Sequence, residues 1–202
     1  MTTVQRATYR ALTSGIDVSI RHIPTAMPGP AYTWGMDGTD PIRIDFVCVE
    51  NAGRSQMAAA FAERESEERG LTDLVEIHSA GTDPAETVHP PVVEAMAEVD
   101  VDVADRRPSY VVLEDLRDSH YLVTMGCTID EFSPSSFGVE ARAWDLQNPA
   151  GRDLETVRRV RDEVETKVRA LFDEIERTAA DRGDEAGRTG RVTDAIKRAF
   201  SF

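Results

Sequence analysis

Cys48 and Arg54, which are separated by five residues, are the side chains of this sequence best suited to chemistry. Cys48 ends an apolar run over residues 42–48, and Arg54 and Ser55 open a helical pattern. A short loop between a strand and a helix N-terminus can turn its backbone N–H groups inward, which makes a cup for a tetrahedral oxyanion. Arg54 adds a planar guanidinium that can bind two oxygens at once.

The same positive groups favour the thiolate form of Cys48, which is the nucleophilic form of the side chain. Ser55 can donate its hydroxyl proton to that sulfur. The loop residues that would line the cup are Val49, Glu50, Asn51, Ala52 and Gly53. The spacing therefore predicts a cysteine enzyme that acts on phosphate or a phosphate-like anion. The alternative is a buried structural cysteine beside a surface arginine.

The composition is typical of one acidic, folded domain. The chain has 202 residues, a net charge of −14 and 41% hydrophobic residues, which suffices for a sizeable core. Its basic residues are nearly all arginine, and an acidic, lysine-poor protein suits a salt-rich (halophilic) cytoplasm, although an arginine-biased genome would explain the lysine count equally. The negative charge argues against nucleic-acid binding, which needs a basic surface.

The sequence also argues against membrane, metal and disulfide chemistry. No apolar run approaches the length of a membrane span, and the N-terminus lacks the apolar region of a secretory signal, so we expect a cytoplasmic protein. The four histidines have no metal-ligand spacing, and the two cysteines form no C-x-x-C pair. We predict no metal and no tightly bound cofactor.

Strand and helix patterns alternate from residue 42 onward. Strands are predicted at 42–48, 75–79, 121–125 and 141–144, the last two buried, and helices at 55–69, 90–99, near 111–118 and at 152–180. This order predicts an α/β fold with a parallel sheet and helices on both faces. Ligands of such sheets bind beyond the carboxyl ends of the strands, where Cys48 lies.

The two ends of the chain differ from this central domain, which we place at residues 42–180. Residues 1–41 are rich in proline and predict an irregular N-terminal extension, either a flexible arm or lid, or a segment that precedes a true start at Met36. Residues 181–202 predict a polar linker followed by a short amphipathic helix. We expect that helix to dock on the body rather than to recruit a partner.

Six segments of the chain resemble the low-molecular-weight tyrosine phosphatase superfamily. They are residues 48–57, 79–85, 93–98, 122–127, 144–151 and 161–164. Within that superfamily the chain is most similar to the arsenate reductases, particularly those that work with small thiols. The resemblance implies a four-stranded parallel sheet, a nucleophilic Cys48, Arg54 on the oxyanion and Asn51 bracing the loop. Gln56 and Gly126 stand where the phosphatases usually have proline and aspartate.

The position of the family's general acid has changed in this chain. Where the family has an aspartate before a proline, the chain has Asn148 before Pro149, and Asp145 could substitute only if the loop were rearranged. An amide cannot deliver a proton to a leaving phenolate, and a general acid typically contributes about 10²–10⁴-fold. The change weakens the phosphatase interpretation more than the arsenate one, because As–O bonds exchange readily. In an inactive descendant Asn148 would be a simple turn residue.

Cys127 is the second cysteine, and the thioredoxin-coupled reductases have another one a few residues beyond it. This chain has none there, which excludes an internal relay through a third thiol. Either Cys127 attacks the Cys48–arsenic adduct and forms a Cys48–Cys127 disulfide, or an external thiol does so and Cys127 is a small buried hydrophobe. The expected reductant is a small thiol, thioredoxin or a glutaredoxin-like protein.

The sequence thus predicts thiol-dependent reduction of arsenate to arsenite through a covalent Cys48 adduct. Two alternatives stay open from the residues. One is a protein-tyrosine phosphatase, and the other is an oxyanion-binding module without turnover.

Overall fold

The fold is a four-stranded parallel sheet with helices on both faces, as predicted. The computed structural model describes the backbone of residues 41–199 and the side chains of residues 41–178. In chain order the elements are β1 (Ile42–Cys48), α1 (Arg54–Glu68), β2 (Val75–Gly81), α2 (Pro90–Ala97), β3 (Tyr121–Met125), β4 (Glu140–Ala143) and α3 (Leu154–Ala199). The strand order is β2-β1-β3-β4, so β1 is a central strand with parallel neighbours on both sides.

The central strand β1 is apolar because both of its faces are covered. Ile44 and Phe46 face the main core together with buried residues of α1, α2 and α3. Val47 faces a smaller cluster on the opposite side, with Leu116 and Leu122. Helices therefore cover both faces but unequally, since the second face carries two short 3-10 helices, Asp115–Asp118 and Pro134–Phe137.

Helix α1 begins at the end of the oxyanion loop and is anchored by its core-facing side chains. Met57 and Phe61 are fully buried, and burying a side chain of this size stabilises a fold by about 1.5–3 kcal/mol. The helix ends before Gly70, whose φ of +69° favours glycine. Because α1 is packed against the sheet in this way, the position of its first residue, Arg54, is fixed relative to the end of β1.

Three predicted elements differ from the structure, and the first is the helix predicted near 111–118, which is only the 3-10 helix Asp115–Asp118. The polar linker at 181–190 was wrong, because α3 continues through it to Ala199. That stretch contains no proline, and its three glycines each cost about 1 kcal/mol in a helix without removing a hydrogen bond. β4 was predicted as a buried strand, but it is the sheet edge, and Glu140, Ala141 and Ala143 are exposed.

The remaining predictions for the chain ends lie outside the described residues. The N-terminal extension over residues 1–40 belongs there, as does the docking of the side chains beyond residue 178. Among the helices of the part that the structure describes, none is apolar enough over a sufficient length to cross a membrane.

Candidate active site

The site lies at the carboxyl end of the central strand. Cys48 is the last residue of β1 and Arg54 is the first residue of α1, so residues 49–53 form the loop between them. The neighbouring strands end at Gly81 and Met125, which pair with Cys48 in register. The loop therefore sits over the edge where parallel sheets bind ligands.

Carbonyl groups of the loop are bonded on its outer side. The carbonyl oxygens of Cys48, Val49, Glu50 and Ala52 accept hydrogen bonds from the N–H groups of Thr82, Asp83, Ala85 and His89 at 3.1, 2.9, 2.9 and 2.9 Å respectively. In a trans peptide the C=O and N–H bonds point in opposite directions. The N–H groups of Val49, Glu50, Asn51 and Gly53 consequently face the interior of the loop. Such a concave set of N–H groups, called the cup below, is suited to binding an anion.

The Cys48 sulfur receives two hydrogen bonds at the base of this cup. The Asn51 N–H donates to it at 3.2 Å, and its distance to Ser55 Oγ is 2.9 Å. Asn51 Nδ2 also donates to Ser55 Oγ at 2.8 Å. Because this bond uses Ser55 as acceptor, the Ser55 hydroxyl is left to donate to the sulfur, and both contacts stabilise negative charge there.

Asn51 holds the loop in shape. Its φ of +47° lies in the left-handed region that asparagine tolerates better than most residues. Its Oδ1 accepts from Gln56 Nε2 at 3.1 Å and from the Ser109 N–H at 2.9 Å. Gln56, which sequence reasoning noted only as a departure from proline, therefore extends a chain of hydrogen bonds to Asn51, Ser55 and Cys48. The sequence signal for this role was that Gln56 directly follows Ser55.

Arg54 is a buried cation whose charge has no local counter-ion. The residue is 6% exposed, and its Nη1 donates to the Leu146 carbonyl at 3.5 Å, which is a long contact. Among the side chains of residues 41–178, no carboxylate lies within ion-pair distance of it. A buried charge is costly unless it is paired. The guanidinium is thus suited to pairing with an anion that enters the cup.

Two glycines allow close contacts around the site, and sequence reasoning did not single out the first of them. A Cβ on Gly81 would lie 2.5 Å from the Val49 carbonyl oxygen, so the end of β2 can approach the loop only as glycine. A Cβ on Gly126 would overlap Arg54 Nη1 and lie 3.3 Å from its Cζ. Both contacts join residues that are far apart in sequence, so no local pattern marks them.

The Glu50 side chain does not add its charge to the cup. Its carboxylate pairs with His89 Nε2 at 3.3 Å, at the start of α2. Only the Glu50 main chain faces the anion position. The loop therefore includes an acidic residue while its interior presents N–H groups.

Asn148 lies on a loop that reaches the rim of the cup. The adjacent Pro149 is buried, and a Cβ added to Gly53 would lie 2.9 Å from its Cγ. The Asn148 side chain is exposed, and its Oδ1 accepts from the Ala150 N–H at 3.3 Å. The loop thus contacts the oxyanion loop through Pro149, and beside that contact it carries an amide rather than an acid.

Cys127 follows the end of β3, next to the strand that carries Cys48. The side chain is half-buried, its Sγ lies 3.5 Å from the Val47 carbonyl oxygen, and both cysteines are free thiols. Burial raises the pKa of the Cys127 thiol, and the charge of Cys48 adds to this, while a Met125 backbone contact and Arg54 oppose it. Burial and the neighbouring Cys48 therefore both oppose ionisation of Cys127, the thiol at the neighbouring strand end.

Comparison with known proteins agrees with this geometry. The sequence profile of the low molecular weight phosphotyrosine protein phosphatase family matches residues 43–181, and the chain belongs to that family. It is 45% identical over 140 residues to a protein of Halobacterium salinarum named "Putative arsenate reductase", which covers 69% of this chain and 97% of that protein.

Two solved structures extend the comparison. The thioredoxin-dependent arsenate reductase of Corynebacterium glutamicum is 31% identical with a TM-score of 0.57, and the match covers 69% of this chain. It spans 64% of that protein, which is slightly less than two thirds of its length. An arginine phosphatase of Geobacillus stearothermophilus is 27% identical with a TM-score of 0.57, and the match covers 68% of this chain and 95% of that one.

Proposed function

We propose that this protein reduces arsenate to arsenite with Cys48 as the nucleophile and external thiols as the electron source. The observation that carries the proposal is the buried Arg54, which has no counter-ion among the side chains of residues 41–178 and lies at the same loop as the Cys48 sulfur. This pair supports an oxyanion as substrate. The similarity to proteins named as arsenate reductases supports arsenate as that oxyanion.

In the first step the substrate occupies the cup. The inward N–H groups and Arg54 hold the arsenate oxygens, and the Cys48 thiolate attacks arsenic while hydroxide or water leaves. Ser55 orients the thiolate through its hydrogen bond to the sulfur. The product is a covalent adduct with a bond between Cys48 sulfur and arsenic.

In the second step a thiolate attacks the Cys48 sulfur of this adduct. The S–As bond breaks, its electron pair stays on arsenic, and arsenite leaves while a disulfide forms. Cys127 is suited to this attack because it is a free thiol just beyond the end of β3, the strand that pairs with β1 at Cys48. An external thiol must then reduce the disulfide. The two free cysteines fit a reducing cytoplasm as the place of the reaction.

A phosphatase activity is the second candidate, and the family assignment favours it. The cup would bind a phosphate ester as well as arsenate. The leaving group, however, needs a proton donor, and the residue at the rim is Asn148, whose amide already interacts with Ala150. An oxyanion-binding module without turnover is the third candidate, since binding needs only the cup.

The test gives purified protein arsenate with thiols, and in parallel an aryl phosphate. We expect arsenite from the first reaction, none from Cys48→Ser, and little hydrolysis in the second. Aryl phosphate turnover without arsenite would support the phosphatase instead. Tight anion binding with neither activity would support the binding module, and in both cases the reductase proposal is wrong.

A further inference from the structure

A cavity of about 450 Å³ opens beside the oxyanion loop, at the carboxyl ends of β3 and β4. Gly126 and Cys127 line it from the β3 side, and Ala143 and Asp145 line it from the β4 side. Gly126 also lies against the Arg54 guanidinium, so the cavity is next to the residue that serves the anion cup. None of the roles assigned above uses this space.

The cavity gives access to one of the two sulfurs. Cys48 is 2% exposed and does not line it, whereas Cys127 is half-buried and does. A molecule that enters the cavity therefore meets Cys127 while Cys48 is occupied with the substrate anion or its adduct. The two reactants of the proposed reaction would then bind at different places, the anion at the loop and the second molecule in the cavity.

The proposed reaction needs such an entrance for its reductant. The full sequence contains two cysteines, so a Cys48–Cys127 disulfide cannot be passed to a further thiol of this chain. An external thiolate has to attack one of the two sulfurs. Attack on Cys127 releases Cys48 as the thiolate that the next catalytic cycle requires.

We propose that this cavity binds a low-molecular-weight thiol that bears an ammonium group, and that the thiol reduces the enzyme at Cys127. This inference rests on the proposed function. The volume falls within the range of about 300–1,000 Å³ that is usual for small-molecule sites. Asp145 is exposed at the cavity and has no ion-pair partner among the described side chains, so it can bind the ammonium group. Thr128 offers a hydroxyl for the thiol's remaining polar groups.

The electrons balance over one cycle. Formation of the Cys48–Cys127 disulfide transfers two electrons to arsenic and releases arsenite. The bound thiolate then attacks Cys127 Sγ, the S–S bond breaks, and Cys48 leaves as a thiolate. A second molecule of thiol attacks the sulfur of the bound one, which releases the small-molecule disulfide and returns Cys127 as a thiol. Two thiols are thus consumed for each arsenate.

The first experiment locates the attack. The reduced protein is mixed with one equivalent of arsenate, the arsenite released in a single turnover is measured, and limiting cysteamine is added before acid quenching. Peptide mapping by mass spectrometry is expected to find cysteamine on Cys127. Cysteamine on Cys48 would overturn the inference. If no stoichiometric arsenite is released, the proposed function itself has failed.

The second experiment tests the cavity with a matched pair of variants. Ala143 and Ala141 are both exposed on β4 and face the same side of the sheet, but Ala143 lines the cavity and Ala141 does not. We expect Ala143→Leu to raise the KM for cysteamine about tenfold, which corresponds to about 1.4 kcal/mol. Ala141→Leu is expected to leave it unchanged. Equal values for the two variants would overturn the inference.

The third experiment tests the ammonium group. Asp145→Asn is expected to raise the KM for cysteamine about threefold more than the KM for 2-mercaptoethanol, since an exposed ion pair contributes up to about 1 kcal/mol. Taking the ratio of the KM values for the two thiols, and comparing this ratio between the variant and the original protein, removes the difference in their intrinsic reactivities. If Asp145→Asn leaves this ratio of KM values unchanged, Asp145 does not bind the ammonium group. Turnover with thioredoxin and none with either small thiol overturns the inference as a whole.

Discussion

Gly126→Ala tests whether the position of Arg54 controls the chemistry of the cup. Gly126 has a φ of +68°, and a Cβ there would overlap Arg54 Nη1. The guanidinium would have to move away from the cup. It cannot move freely, because the residue is 6% exposed and packs between Gly126 and the Leu146 carbonyl.

The magnitude has two parts, one for stability and one for activity. A left-handed backbone costs an L-residue about 1–2 kcal/mol, so the free energy of unfolding should fall by that amount. Losing one preorganised donor to an oxyanion typically costs about 10²–10³-fold, so we expect kcat/KM for arsenate to fall about a hundredfold. The loss of stability would follow from any L-residue with this backbone conformation, whereas the loss of kcat/KM depends on displacement of Arg54.

Gly70→Ala is the control that separates the two parts. Gly70 has nearly the same φ, +69°, but a Cβ added there meets nothing within 4 Å. Both variants should lose the backbone contribution to stability in urea denaturation, and Gly126→Ala should lose more because its Cβ overlaps Arg54. Only Gly126→Ala should lose arsenite production in a steady-state assay. If kcat/KM is equal in the two variants, the reasoning about Arg54 is refuted.

Three further predictions concern the groups around Cys48. Gln56→Leu removes a hydrogen-bond donor to buried Asn51, so we expect the free energy of unfolding in urea titration to fall by about 1–3 kcal/mol. We also expect the burst of arsenite release in a single turnover to slow. An unchanged burst would contradict the role of Gln56. Asn148→Asp supplies the missing acid and should raise aryl phosphate hydrolysis by about a hundredfold in a chromogenic assay, while no increase would mean that the loop does not serve the leaving group. Burial raises the pKa of the Cys127 thiol, so only a small fraction of it is thiolate at neutral pH. The rate of arsenite release in a single turnover should therefore increase about tenfold per pH unit through neutral pH. A rate that is independent of pH would exclude Cys127 as the attacking group.

The sequence predicted the elements whose signals are local. The apolar run before Cys48 and the helical pattern after Arg54 identified β1, the loop and α1, with the helix start one residue from its actual position. Strand β3 was predicted with its observed bounds because four of its five residues are apolar. These patterns depend on burial and hydrogen bonding within a few residues, and the elements that they predict are present in the structure.

The contacts that complete the site could not be predicted in this way. Ser109 bonds Asn51 across 58 positions, and Gly81 approaches Val49 across 32, so neither contact has a spacing that a motif could reveal. The sequence named Cys127 as one of two candidates to attack the Cys48–arsenic adduct, but it gave no information on which sulfur a solvent-borne molecule could reach. That distinction depends on which side chains line the cavity at the ends of β3 and β4, where Cys127 is present and Cys48 is not.

The acidity of the chain and its anion-binding cup are compatible because they act over different distances. The net charge of −14 is distributed over the whole molecule, and in salt its field is screened within about 8–10 Å. The cup instead uses N–H dipoles in direct contact with the anion and one buried guanidinium, whose interaction is strengthened by the low local polarity. The carboxylate nearest the loop, Glu50, is paired with His89, and its main chain still contributes to the cup. Because none of the cup's donors other than Arg54 carries a net charge, an acidic surface can evolve around it while the anion site keeps its affinity.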